Sequence, residues 1–420
     1  MKKSMLLASM LLLILATKVR ADRILIPMDL KQADHLKAYG VAYWVLEQGM
    51  DVEWLLNYRG GSFLIEGVDI IAREARIRGV SYQVIGGADV ARIYAQMEQE
   101  NMEVIRLEKA PKVAVYVPPT GQPWDDAVRL ALEYAEIPYE TLWDREVLEG
   151  RLDEYDWLHL HHEDFTGQYG KFYAHYHNAP WYIEQQARFE EMAHSLGFQK
   201  VSEEKKAVAR KIREYVLKGG FLFAMCSATD TIDIALAAQN TDMAASIYDG
   251  DPADPHAQEK LDYTPCFAFE NFTLEKNPLR YEFSDIDIQP DRGFGRGAEA
   301  DYFTLFEFSA KYDPVPTMLT QNHTPVIHGF LGQTTAFKKS LIKRGIVIMG
   351  EAKDVEEVKY LHGNLGKGTF TFYGGHDPED YQHRVGDPPT KLELHKNSPG
   401  YRLILNNVLF PAAEKKKRKT

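Results

Sequence analysis

Apolar positions along the chain fall into short runs and into stretches with a repeat near 3.6, and the two alternate. Arg23–Met28, Val52–Leu56 and Val80–Ile85 are short apolar runs that read as strands. Gln32–Gln48 carries Leu36, Tyr39, Ala42, Tyr43 and Leu46 at helical spacing, and Gly49 stands where such a helix ends. Helices are also expected around Val68–Arg78 and Ala88–Met97, so residues 22–105 read as βαβ units. Between them Asn57–Phe63, with Gly60 and Gly61, reads as a loop.

A second unit begins after Ala110-Pro111. Strands are expected at Lys112–Val117, Tyr139–Trp143 and Tyr155–His161, with a helix over Trp124–Ala135. Helical segments fill Ala187–Lys218 until Gly219-Gly220 breaks them. Phe221–Met225 is almost wholly apolar, as in a strand covered on both faces, and Thr229–Ala238 resumes as a helix. Residues 240–344 lose this rhythm and read as an irregular excursion with some strand, lying over one edge of the sheet. The rhythm returns with strands Gly345–Met349 and Gly368–Tyr373 and a closing helix Tyr401–Leu409. The expected fold class is α/β: a flavodoxin-like, doubly wound parallel sheet over 111–412, preceded by an N-terminal α/β domain over 22–110.

Composition narrows the function. A chain of 420 residues with 45% hydrophobic positions can bury large cores, which excludes a disordered chain. The formal net charge is −12, so an acidic body repels phosphate backbones and nucleic acid is not an expected partner. At the start, Lys2 and Lys3 precede an apolar run from Met5 to Ala16, followed by Val19 and Ala21. Such a run is too short to span a bilayer, which needs ~20 residues, and residues 1–21 read as a secretory signal peptide. The expected location is therefore periplasmic or extracellular, with no stable membrane span after cleavage. Export would permit a disulfide between the two cysteines, Cys226 and Cys266, although they can equally be unrelated. The basic run Lys415–Lys419 reads as a solvated tail over 413–420.

Three strand ends carry candidate chemistry. The first is Gly219–Asp230, in which a buried strand runs through Cys226 and Ser227 into a helix. A cysteine on such an elbow is exposed to helix N–H groups that stabilise a thiolate or an oxyanion. The second is Gly366–Asp380, where Gly375 and His376 end a strand; His376 can serve as a base, oriented by Asp377 or Glu379. The third is His159-Leu-His161-His162-Glu163-Asp164. Period 2 puts His159 and His161 on one face and His162 on the other. His161, His162, Glu163 and Asp164 can contact a substrate; His161, His162, Glu163 or Asp164, with His376 or His383, are candidate ligands for a divalent metal, and no other cofactor is expected. All three motifs lie at the carboxyl ends of strands, where open α/β sheets bind ligands.

The pattern resembles the class I glutamine amidotransferase-like fold, in which a Cys occupies the strand–helix elbow and a His followed by a Glu ends a later strand. On that resemblance Cys226, His376 and Glu379 take the family's catalytic places, although Met225-Cys226-Ser227-Ala228 lacks both glycines of the family's G-x-C-x-G elbow. The stretch Gly366–Glu379, followed by Asn397–Val408, is similar to the closing segment of the trehalose-utilisation (ThuA-like) branch, which implies sugar utilisation. The whole chain also resembles exported bacterial proteins labelled asparagine synthetase B, through Ile24–Asp29, His35–Tyr43 and Leu55–Leu64. An asparagine synthetase needs an N-terminal Cys and an ATP loop; no Cys precedes position 226, and Gly60-Gly61-Ser62 lacks the loop's Asp. Two functions follow as expectations. One is a hydrolase or amidase with Cys226 as nucleophile and His376 as base. The other is a non-catalytic sugar-handling protein, with Trp124, Trp143, Trp157, Phe165, Tyr169, Tyr173, Tyr176 and Trp181 as candidate aromatic platforms. In either case the partner is a small molecule, an amide or a sugar.

Overall fold

The computed structural model describes residues 22–119, 126–288, 302–353, 355–381, 384 and 386–414. The expected signal peptide, Trp124, His383 and the Lys415–Lys419 run lie outside the described residues. The fold is mixed α/β, with two sheets flanked by helices.

The N-terminal sheet holds β1 (Arg23–Ile26), β2 (Val52–Leu56), β3 (Ser62–Glu66), β4 (Gln83–Ile85) and β5 (Glu103–Leu107), in the order β4-β1-β3-β2-β5. Every pairing in it is antiparallel, so the expected βαβ units do not form. The difference comes from β3, which starts inside the stretch read as a loop. Gly60 and Gly61, both at positive φ, turn the chain so that Phe63, Leu64 and Ile65 return between β1 and β2. Helices α1 (His35–Glu47), α2 (Val68–Ile77) and α3 (Gly87–Gln99) connect the strands. α1 is buried on nearly every side, because it lies between this sheet and two helices of the larger unit. One of those is α4 (Ala127–Ala135), and the approach is so close that a Cβ on Gly40 would sit 1.8 Å from the Ala135 carbonyl oxygen.

The large sheet begins with five parallel strands: β6 (Val113–Tyr116), β7 (Glu140–Leu142), β8 (Trp157–Leu160), β9 (Phe221–Met225) and β15 (Gly368–Tyr373). Their order is β7-β6-β8-β9-β15, so the chain reverses its direction of travel across the sheet between β6 and β8. That reversal opens a crevice at the carboxyl ends of the strands. Antiparallel strands extend the sheet beyond β15: β14 (Glu357–Leu365), β13 (Val347–Glu351), β10 (Tyr302–Leu305) and β11 (Val326–His328), with β12 (Phe337–Lys338) paired to β14. Part of the excursion thus becomes the far edge of the sheet. Helices α5 (Asp144–Leu148), α6 (Pro180–Ser195), α7 (Val201–Lys218), α8 (Ala228–Ala237) and α9 (Pro399–Leu409) complete the layers.

The two units share one apolar core, which runs from Ile24, Tyr39 and Trp54 through Val115, Trp157 and Phe223 to Tyr401 and Leu405. Arg402 ties them further from a fully buried position. Its guanidinium donates to the Met28 carbonyl at 3.0 Å and to the Gly60 carbonyl at 2.7 Å. Among the described residues no helix is long and apolar enough to cross a membrane. Cys226 and Cys266 are both free buried thiols, not a disulfide.

Candidate functional site

Three neighbouring strands deliver the site. β9 ends at Met225, and Cys226 then adopts φ of 50°, in the left-handed region that a non-glycine residue seldom occupies. This turn makes the elbow and starts α8. Two backbone bonds anchor it to the adjacent strand ends. The Cys226 N–H donates to the Gly375 carbonyl at 3.1 Å, and the Ala228 N–H donates to the His161 carbonyl at 3.2 Å. The ends of β8, β9 and β15 are thereby locked together, and the three candidate motifs become one place.

Around the sulfur the cradle is made of main chain. The Gln333 N–H donates to Cys226 Sγ at 3.4 Å, and the amides of Ser227 and Thr334 also favour its thiolate. Burial outweighs them and pushes the thiol up to about 11. The Ser227 hydroxyl is buried beside it, without a hydrogen-bond partner among the described residues. Gln333 belongs to a loop that also carries Gly332. A Cβ there would lie 2.7 Å from the His376 backbone nitrogen, so only glycine lets this loop close over the strand ends.

The His376 ring faces a histidine. His161 Nε2 lies 2.8 Å from His376 Nδ1, with the rings edge to face and their centroids 4.2 Å apart. His162 joins them, its centroid 5.0 Å from His161 and 5.7 Å from His376. The alternation expected of a strand would have sent His162 to the opposite face. It does not, because β8 ends at Leu160 and the chain leaves the pleat before His161. One nitrogen from each of these three rings falls within 4.8 Å of the other two.

The residue that organises the cluster is Asp126, which sequence reasoning missed. It is the N-cap of α4, with Oδ1 accepting from the Val128 and Arg129 amides at 2.8 and 3.1 Å. The same oxygen stands 3.3 Å from His159 Nε2 and 3.6 Å from His161 Nδ1. Burial acts to raise this carboxyl, but the charges of His159 and His162 and the capping amides hold it down at about 2. His159, fully buried, sets its other nitrogen 3.2 Å from the Phe223 carbonyl. The available sequence signal was an acidic N-cap just past the strand that adjoins β8.

Glu163 and Asp164 turn elsewhere. Glu163 is buried, and burial raises its carboxyl to about 8, with the Lys205 charge opposing and the Asp144, Asp126 and Asp164 charges adding to it. Asp164 accepts the backbone N–H groups of Thr166, Gln168 and Gly170, so it holds a turn. Neither belongs with the three histidines: of the expected metal candidates His161, His162 and His376 come together, and Glu163 and Asp164 do not join them. Asp377 Oδ1 caps its own turn at the Glu379 N–H. Glu379 accepts from the Tyr381 hydroxyl and pairs with His395 at 2.9 Å. Of the candidate aromatic platforms, Trp143, Trp157, Phe165 and Tyr169 are core side chains; Tyr173, Tyr176 and Trp181 are half-buried. A cleft of about 490 Å³ opens at the carboxyl ends of β6 and β7, between Pro118, Arg129, Thr141 and Glu146.

No family model and no curated protein matches the chain. Among solved structures it is similar to a cytoplasmic protein of Salmonella typhimurium, with TM-score 0.34 and 11% identity, covering 72% of this chain and 100% of that one. A second cytoplasmic protein, from Salmonella typhimurium LT2, gives 0.33 and 11% over the same shares. Gan42B, a GH42 β-galactosidase, gives 0.27 and 10%, covering 64% of this chain and 28% of that one.

Proposed function

We propose that the chain is a hydrolytic enzyme acting on a small polar molecule, an amide or a sugar derivative, in which His161 and His376 activate a water. The observation that carries this reading is the 2.8 Å contact between the two imidazoles, with the Asp126 carboxylate behind His161. One ring nitrogen can take a proton while its neighbour gives one, and the Asp126 charge 3.6 Å from the far nitrogen favours a proton there. The amides around Cys226 supply donors for a developing oxyanion beside that pair. The leader-like first 21 residues support an exported location for this activity.

The test is a panel of chromogenic amides, esters and glycosides read against single variants. His161→Ala and His376→Ala are expected to lower kcat by about 10²–10⁴-fold, the range of general acid–base catalysis. Cys226→Ala is expected to retain most of the activity. A second reading, with Cys226 as nucleophile, is favoured by its left-handed backbone at the strand–helix elbow. It predicts a different outcome at the thiol: abolition in Cys226→Ala, alongside the loss in His376→Ala, and a trapped acyl-enzyme.

A further inference from the structure

We propose that His161, His162 and His376 together bind one divalent transition-metal ion, with zinc as the best fit. Three features of the cluster argue for it. The first is convergence: three imidazole nitrogens meet within 4.8 Å of one another, from two separate strand ends. Around a tetrahedral zinc with bonds near 2.1 Å, ligand nitrogens stand roughly 3.4 Å apart. His161 Nε2 already lies 2.8 and 3.3 Å from the two nitrogens of His376, so small ring rotations suffice.

The second feature is polarity within the His161 ring. Its Nε2 faces His376, and its Nδ1 faces the Asp126 carboxylate at 3.6 Å. A ligating histidine characteristically directs its other nitrogen to a carboxylate, which fixes the ring and raises its basicity. His159 faces the same oxygen at 3.3 Å, but its other nitrogen is taken by the Phe223 carbonyl and it stays outside the trio. The third feature is the donor type. Neutral imidazoles select zinc and its neighbours over magnesium or calcium, which prefer oxygen. Three protein ligands leave a fourth position for water or a substrate atom, the pattern of catalytic zinc. The carboxylate trio Asp242, Asp249 and Asp251 is a different case, since Lys200 Nζ already occupies its centre, 2.6 Å from Asp242 and 3.3 Å from Asp249.

This inference rests on the hydrolytic reading of the site, with the bound ion taking over the activation of water from the His161–His376 proton exchange, and its test reads metal and not turnover. The full chain is stripped with a chelator, dialysed, and titrated with Zn(II) or Co(II) alone, following bound metal by elemental analysis and the visible absorption of Co(II). One ion per chain is expected, with a tetrahedral Co(II) spectrum. His162→Gln, which alters only a half-buried side chain, is expected to weaken binding at least 100-fold, and His376→Ala likewise. Asp126→Asn should weaken it about 10–100-fold, the cost of losing an outer carboxylate. Asp242→Asn should leave it unchanged. Circular dichroism confirms that each variant is folded. Binding that is absent, or indifferent to His162→Gln, overturns the proposal. A metal-free protein whose hydrolysis still depends on His161 removes the metal and leaves the imidazole reading. Stoichiometric metal with no hydrolysis of any substrate removes the hydrolytic reading and leaves the metal site.

Discussion

Replacing Cys226 with alanine and with glycine measures the elbow directly. At ordinary backbone angles glycine is less stable than alanine by about 0.5–1 kcal/mol, because it loses more freedom on folding. At Cys226 the φ of 50° reverses the comparison. An L-residue in the left-handed region carries a cost of roughly 1–2 kcal/mol that glycine escapes. Both variants lose the buried sulfur and its bond from the Gln333 amide, worth about 1–2 kcal/mol together. Cys226→Ala should therefore destabilise by about 1–2 kcal/mol, and Cys226→Gly by no more than that, and by up to about 1 kcal/mol less. Urea unfolding with a common m-value decides it. Glycine falling about 1 kcal/mol below alanine would refute the left-handed elbow. The same thiol, pushed up to about 11, should alkylate slowly at neutral pH and speed up through pH 9 and 10. A rate that levels off below pH 8 would mean an activated nucleophile and would favour the second reading.

Lys205 sits under the crevice, fully buried, 2.7 Å from Asp144 and 2.9 Å from the Tyr116 hydroxyl. Lys205→Met should cost about 3–5 kcal/mol in urea unfolding, and Lys205→Met with Asp144→Asn should recover part of it. Glu163, raised to about 8 by burial, stays protonated in the fold where the unfolded chain, near 4.3, has lost its proton. Its contribution is thus full below pH 4.3 and disappears as pH rises through 8, so Glu163→Gln should flatten the fall of stability with pH by up to about 1.4 kcal/mol per unit. His35 behaves oppositely: burial and the Arg402 charge depress it to about 4. Its contribution is full above the unfolded value of about 6.5 and is lost as pH falls towards 4; His35→Gln should remove that loss, read as urea midpoints between pH 4 and 7. Gly40→Ala should destabilise by at least about 1 kcal/mol in the same assay, since its methyl group meets the Ala135 carbonyl.

The parallel strands were legible because their apolar runs are nearly unbroken, and the turns after them carry the chemistry. Cys226, His161 and His376 were each found as a strand-end residue, and the sheet order brings their strands side by side. Strand direction was not legible. The runs that form β1 and β2 look the same in either sense, and the antiparallel N-terminal sheet depends on β3 returning after Gly61. β14 escaped notice because Lys359 and His362 interrupt its apolar pattern. Both are buried with partners of their own, Lys359 on the Phe330 and Thr335 carbonyls and His362 on Thr371. Asp126 was invisible for a different reason. Its cap bonds are local, but its contacts with His159 and His161 depend on β6 and β8 being neighbours, and no spacing along the chain encodes that.

The central claim is that the His376 ring is coupled to His161. Side-chain ¹⁵N spectra of the histidines, recorded on chelator-treated protein, test it most directly. The account predicts that His161→Phe shifts both His376 ring nitrogens and alters its tautomer, while Cys226→Ala leaves them in place. A His376 that ignores His161→Phe and responds to Cys226→Ala would contradict it.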